Sequence, residues 1–212
     1  MTGGLQNGAR PVMRMLRLEG FPIFQQLLLE ERLLRTSNDN WCVINDGTSP
    51  PAIVMGISGK PEKLLDVEKV VKDDLCVIKR FSGGGTVVVD EDTLFVSLIC
   101  SRSAVPDLQL YPRHIMNWTE LLDSRMAYLK VPERAPAYRQ ARDHSDFICR
   151  LQDFFPSREY FVDTIAEGLE HHFILGEENL NDVVDEFAER SHISSTNVLS
   201  RDDLAASLKH LS

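Results

Sequence analysis

The stretch Arg80-Phe81-Ser82-Gly83-Gly84-Gly85-Thr86-Val87-Val88-Val89-Asp90 decides the reading of this chain. Three consecutive glycines separate two runs of strand formers, Cys76-Val77-Ile78 and Val87-Val88-Val89. Glycine weakens a strand, so three together mark a backbone that must pass close to something. A basic residue opens the run, and hydroxyls stand at Ser82 and Thr86. Backbone N–H groups beside an arginine suit a phosphate or a carboxylate. A loose glycine turn in a β-hairpin is the alternative that composition alone leaves open.

Working outward, the next run is Leu94-Phe95-Val96-Ser97-Leu98, joined to Val87–Val89 by the turn-forming Asp90-Glu91-Asp92. Upstream, the strand-like pair Trp41–Ile44 and Ala52–Ile57 brackets Asp46-Gly47 and Pro50-Pro51. Further strands are expected over Met13–Glu19 and Leu75–Phe81. Phe21–Thr36 reads as a helix: Ile23, Leu27, Leu28 and Leu34 recur at helical spacing around Glu30-Glu31, and Pro22 suits a first turn. Its stripe is read as core. Glu62–Lys72 reads as a short surface helix. This half is a helix on a largely antiparallel sheet, an α+β pattern.

Beyond Pro106 the strand pattern stops. Helices are expected over Tyr111–Leu122, Asp143–Phe155 and Ser157–Phe173, the last with Phe161, Ile165, Leu169 and Phe173 four apart and Ser157 as N-cap. Val131–Arg139 carries Pro132 and Pro136 and reads as an irregular crossing. Residues 1–13 are expected to be disordered. Residues 176–212 hold eight acids and three bases and are expected to form a solvated, flexible tail.

The glycine run in this setting resembles the lipoate–protein ligase A family, within the biotin/lipoate ligase catalytic domain. The resemblance covers about residues 15–102, including Glu30-Glu31-Arg32-Leu33-Leu34, Trp41–Asn45 and Pro51–Gly56. It implies a class II synthetase-like fold over residues 14–175. It implies an ATP- and Mg²⁺-dependent activation of lipoate or octanoate to the acyl-adenylate, then transfer to a lysine of a lipoyl domain. E2 subunits of 2-oxoacid dehydrogenases and the glycine cleavage H protein are the acceptors that follow. The ligand-binding residues it implies are Arg80, Ser82, Gly83, Gly84, Gly85 and Thr86.

Departures from the family pattern accompany the match. Val89-Asp90 stands where the family has His-Asp, Thr93 where it often has Asn, and Ile57 where it has Arg. The family lysine belongs to a Lys-x-x-Gly-x-Ala segment that this sequence lacks. Only Ser101–Ser124 precedes Arg125-Met126-Ala127-Tyr128-Leu129, so an internal deletion is inferred near Leu122–Arg125, with part of the central sheet missing. Lys79 and Lys130 are poor substitutes, because Lys79 alternates to the strand face opposite Arg80 and Lys130 has no glycine context. No catalytic residue is assigned. The readings that follow are an impaired ligase, an inactive form that still binds acyl ligand or acceptor, and a non-enzymatic interaction protein using an acidic tail.

Composition narrows the rest. In 212 residues, 43% are hydrophobic and 26% charged, ordinary for a globular domain. The net charge of −9 argues against a general nucleic-acid binder. No apolar run reaches the roughly 18 residues of a membrane span. Cys42, Cys76, Cys100 and Cys149 are widely spaced, which suits a reducing compartment, and the six histidines offer no metal spacing. Cytosol is the expectation, with mitochondrion or plastid as the alternative.

Overall fold

The computed structural model describes residues 10–105 and 155–208. The expected helices at 111–122 and 143–155, the crossing at 131–139, Lys130, Cys149 and the inferred deletion lie outside the described residues, apart from Phe155. The elements run β1 (Val12–Glu19), α1 (Ile23–Thr36), β2 (Asn40–Asp46), β3 (Ala52–Met55), α2 (Pro61–Leu64), α3 (Val67–Lys72), β4 (Cys76–Lys79), β5 (Val87–Val89) and β6 (Leu94–Ile99). After residue 155 come α4 (Arg158–Glu170), β7 (Ile174–Glu178), α5 (Leu180–Phe187), β8 (Asn197–Val198) and α6 (Arg201–Leu208).

The strands form two four-stranded sheets, ordered β6-β2-β1-β7 and β5-β3-β4-β8. The fold is a mixed α+β one, and the pairing differs from the largely antiparallel expectation. β1 lies parallel to β2 and to β7, and β3 parallel to β4. The antiparallel pairs are β2–β6, β3–β5 and β4–β8.

Helix α1 sits between the sheets, and strand alternation shows it. Trp41 and Val43 of β2 pack with Leu16 against Leu29 and Leu33. Ala52 and Val54 of β3 pack against Ile23 and Leu27 of the same helix. The neighbouring residues point the other way, as a period of two requires. Cys42 and Ile44 join Met13, Met15 and Val162 of α4, while Ile53 and Met55 join Leu65, Val67, Val70 and Leu204 of α6. β2 and β3 are therefore covered on both faces, which explains their nearly unbroken apolar runs.

The helix α4 starts as read, with the Ser157 hydroxyl accepting from the Tyr160 N–H. Within α1, Leu33 is buried and Leu34 is 52% exposed, and the stripe also buries Gln26, Glu30 and Glu31. The expected flexible tail is corrected over residues 176–208. β7 pairs with β1 from Val12↔Ile174 onward, so the ordered fold also begins before residue 14. Val183 and Phe187 of α5 are fully buried against Trp41, with the Phe187 ring edge-on to the indole at 5.8 Å. Arg14 ties this part down. It stacks 4.1 Å over Trp41 and bonds Glu178 at 2.7 Å, Glu186 at 2.7 Å and Asp39 at 3.2 Å. The acidic count hid these buried apolar residues and this paired cation.

Candidate functional site

The glycine run leaves β4 and enters β5, so it lies at one end of the second sheet, beside the end of β3. Ser82, Gly83, Gly84 and Gly85 are exposed, and Arg80 and Thr86 are half-buried. All six residues assigned from the sequence therefore occupy one loop. Two backbone bonds and one to a side-chain hydroxyl fix it. The Arg80 N–H donates to Met55 O at 2.9 Å, the Ile57 N–H donates to Ser82 O at 2.9 Å, and the Phe81 N–H donates to the Thr196 hydroxyl at 3.2 Å.

Arg80 bonds the backbone of its own loop. Its guanidinium donates to Gly83 O from Nε at 3.1 Å and from Nη2 at 2.8 Å, and to Gly85 O at 3.3 Å. It holds the carbonyl side of the loop. In a trans peptide the N–H points opposite the C=O. Since Ser82 O faces Ile57 and Gly83 O faces Arg80, the N–H groups of Gly83 and Gly84 point away from those partners. Among the described residues no acceptor meets the N–H of Gly83, Gly84 or Gly85. Consecutive amides of this kind are groups that can donate to an anion.

Of the three glycines, Gly84 is the one the loop's own geometry requires. Gly84 has φ +110, which a side chain rarely adopts, and a Cβ there would lie 2.3 Å from Arg80 Nη2. A Cβ on Gly83 or Gly85 would meet nothing within 4 Å. Those two positions are open to whatever approaches the loop. Gly56, which the sequence reading did not assign to the site, is the closest support. A Cβ there would lie 2.5 Å from Gly84 O and 3.2 Å from Gly83 C and Gly84 N. The signal available in the sequence was its place immediately after the strand Ala52–Met55.

A buried polar chain runs from β2 into α1. Asn45 Nδ2 donates to Gln26 Oε1 at 2.8 Å, and Gln26 Nε2 donates to Glu30 Oε1 at 2.7 Å. Burial pushes the Glu30 carboxyl up, against hydrogen bonds from Gln26 and Ser97 and the nearby positive charge of Arg80. Glu30 thus links α1 electrostatically to the arginine that shapes the loop. The departing positions are now placed. Val89 is buried in the core beneath α1, Ile57 is 46% exposed beside Ser82, and Asp90 Oδ1 accepts from the Thr93 hydroxyl at 3.2 Å. Lys79 is the last residue of β4, in register with Met55 and Asn197. Among the described residues no group of three or more His, Cys, Asp or Glu is placed to hold a metal ion. None of the described helices is long and apolar enough to cross a membrane.

The family described as Lipoyl protein ligase A/B catalytic domain matches residues 22–130, just over half of the chain. A curated relative, described as inactive lipoate–protein ligase 2 of Plasmodium falciparum (isolate 3D7), is 30% identical over 125 residues, covering 47% of this chain. The chain spans about a third (32%) of that relative's length. A Thermoplasma acidophilum protein solved with bound lipoic acid superposes with a TM-score of 0.55 at 16% identity, over 84% of this chain and 94% of that one. A bi-partite lipoate protein ligase of the same organism, from a study that includes its E2 lipoyl domain, gives 0.57 at 15% identity, over 84% and 93%. A lipoate-protein ligase A bound with ATP gives 0.53 at 14% identity, over 85% and 97%. At these identities the structures speak for the fold alone.

Proposed function

The chain belongs to the lipoyl protein ligase A/B catalytic domain family, and from that premise we propose that its glycine loop binds an acyl-adenylate of the lipoate or octanoate class. The observation that carries the reading is the row of outward amides at Gly83–Gly85, open on the ligand side and held from behind by Arg80. In the family reaction an acyl carboxylate oxygen attacks the α-phosphate of ATP and pyrophosphate leaves. An acceptor lysine amine then attacks the acyl carbon, AMP leaves, and an amide forms. Donors fixed before the charge develops are what such phosphoryl chemistry needs. The amides of Gly83 and Gly84 would accept phosphate or carboxylate oxygen. Ser82 and Thr86 would add hydroxyl donors at the rim. Relatives of the same fold have been solved with lipoic acid and with ATP. Mg²⁺ is written here as part of the nucleotide substrate, because it keeps waters and phosphate oxygens as ligands and needs few protein carboxylates.

Transfer is where this chain falls short. The family lysine segment is absent from the sequence, and a relative is described as inactive. The chain is therefore read as an acyl-ligand-binding member with impaired ligation. Lipoyl domains of E2 or H-protein type are the acceptors it would meet, and a relative has been studied with its E2 lipoyl domain. The acidic-tail interaction reading has lost its motivation, since residues 176–208 are packed into the fold.

The test combines two assays on the full chain. Calorimetry with a non-hydrolysable lipoyl-adenylate analogue should show saturable binding. Incubation with ATP, lipoate and a lipoyl domain should give no modified product above background. Absence of binding would remove the ligand assignment. Robust turnover persisting in Lys79→Ala and Lys130→Ala variants would show that ligation is intact and uses another group.

A further inference from the structure

Between α5 and α6 the chain runs exposed, with Ile193 92% accessible, yet one residue in it, Thr196, is only 5% exposed. The cause is Glu31, which is fully buried on α1. Its Oε2 accepts from the Ser194 hydroxyl at 2.7 Å, the Thr196 N–H at 3.0 Å and the Thr196 hydroxyl at 2.8 Å. Its Oε1 accepts from the Ser195 N–H at 2.8 Å and from Arg35 Nε at 2.9 Å. Few groups justify a buried carboxylate so fully, and here four of the five donors come from three consecutive residues.

The Thr196 hydroxyl has a second partner. While its hydrogen goes to Glu31, its oxygen accepts the Phe81 N–H at 3.2 Å, at the root of the glycine loop. The next residues continue the attachment. Asn197 and Val198 pair with Lys79 and Ile78, and the Leu199 N–H donates to Val77 O at 2.8 Å. Glu31 on the central helix is thereby connected through one hydroxyl to the residue beside Arg80.

We propose that Ser194–Val198 is a latch and that Thr196 is a positioning residue for the glycine loop. It fixes the Phe81 peptide, which directs Arg80 toward the carbonyls of Gly83 and Gly85 and so keeps the glycine amides facing outward. Both partners of the Thr196 hydroxyl are protein groups, Glu31 and the Phe81 N–H, so its role would be indirect. It acts by pre-ordering the loop, so its loss is felt as the cost of ordering the loop on binding. This inference rests on the acyl-adenylate reading for its affinity consequence, and on geometry alone for its effect on the loop.

The experiment compares Thr196→Val and Thr196→Ser in the full chain. Valine keeps the shape and removes both hydrogen bonds, while serine keeps both. Amide hydrogen exchange is followed at Ile57, Arg80 and Phe81, whose N–H groups are bonded within or beside the loop, and at β1 as reference. The latch predicts that Thr196→Val speeds exchange at those three amides relative to β1 and weakens the lipoyl-adenylate analogue roughly two- to tenfold, the span of one hydrogen bond. Thr196→Ser should restore both. Unchanged exchange at the three amides in Thr196→Val, or a serine variant as perturbed as the valine one, would overturn the latch. Equal acceleration in β1 would also overturn it, by showing general loss of stability. If the wild type binds no analogue, the ligand reading fails while the exchange data still decide the latch. Should Thr196→Val not fold, Ser194→Ala decides: faster exchange at the three amides upholds the latch, and wild-type rates overturn it.

Discussion

Adding a single methyl group at Gly56 or at Gly83 should affect stability differently, because Gly56 abuts loop backbone and Gly83 faces open space. At Gly56 the added Cβ would lie 2.5 Å from Gly84 O and 3.2 Å from two further loop backbone atoms. None of these is the far end of a flexible side chain, so the loop itself must shift. Overpacking of this kind costs about 1–3 kcal/mol, a large part of a typical total of about 5–15 kcal/mol. Gly56→Ala should therefore lose stability and ligand binding together. At Gly83 the added Cβ meets nothing within 4 Å, and φ lies outside the left-handed region. Gly83→Ala should leave stability unchanged or raise it by about 0.4–1 kcal/mol through the unfolded chain. It should still weaken the acyl-adenylate analogue, because the methyl occupies the approach to the amides. Urea unfolding gives the stability of both variants and calorimetry gives the affinity. A Gly83→Ala protein that binds as the wild type does would refute the cradle. A Gly56→Ala protein of unchanged stability would refute the close backbone contact.

Three further outcomes follow from the buried and paired charges. Burial alone would raise the Glu31 carboxyl, but bonds from Ser195, Ser194 and Thr196 hold it down to about 2 against an ordinary 4.5. Its contribution of about 3 kcal/mol is complete above pH 4.5 and lost as pH falls toward 2; Glu31→Gln should flatten urea stability across that window, and an unchanged acid limb would contradict it. Glu30 has the opposite sign. Its raised folded-state pKa means stability is eroded as pH rises above 4.5, so Glu30→Gln should melt higher than wild type at pH 8 and show less gain at pH 4. Arg14→Ala breaks three carboxylate contacts and the Trp41 stack at a site only 18% exposed. It should cost about 2–4 kcal/mol by chemical denaturation, and Arg14→Lys should recover less than half, since an ammonium cannot reproduce the fork and the stack.

What the sequence made legible was local. A glycine run between strand formers, the apolar strand Trp41–Ile44, and a serine cap before Arg158 are all read within a few residues. The division into two sheets was not legible, because it depends on which strands pair across long separations, such as β1 with β7. The C-terminal part was misjudged for a different reason. Val183 and Phe187 form a one-turn apolar stripe, but Asp182, Asp185 and Glu186 between and beside them dominate the charge count. Charge was also the obstacle on α1. Glutamates are rarely buried, so nothing in the residue types announced that Glu30 and Glu31 would lie inside the fold. The bonds from Arg80 to Gly83 O and Gly85 O were not legible either, since nothing in a sequence says whether a guanidinium faces a ligand or its own backbone.

Titrating the analogue into labelled protein and following backbone amide resonances shows whether the glycine loop takes the acyl-adenylate on its amides. Gly83, Gly84 and Gly85 should shift first and furthest, with smaller shifts at Gly56 and Phe81, and the β1 amides should stay still. Saturable binding that moves resonances elsewhere and leaves the three glycines in place would contradict that reading.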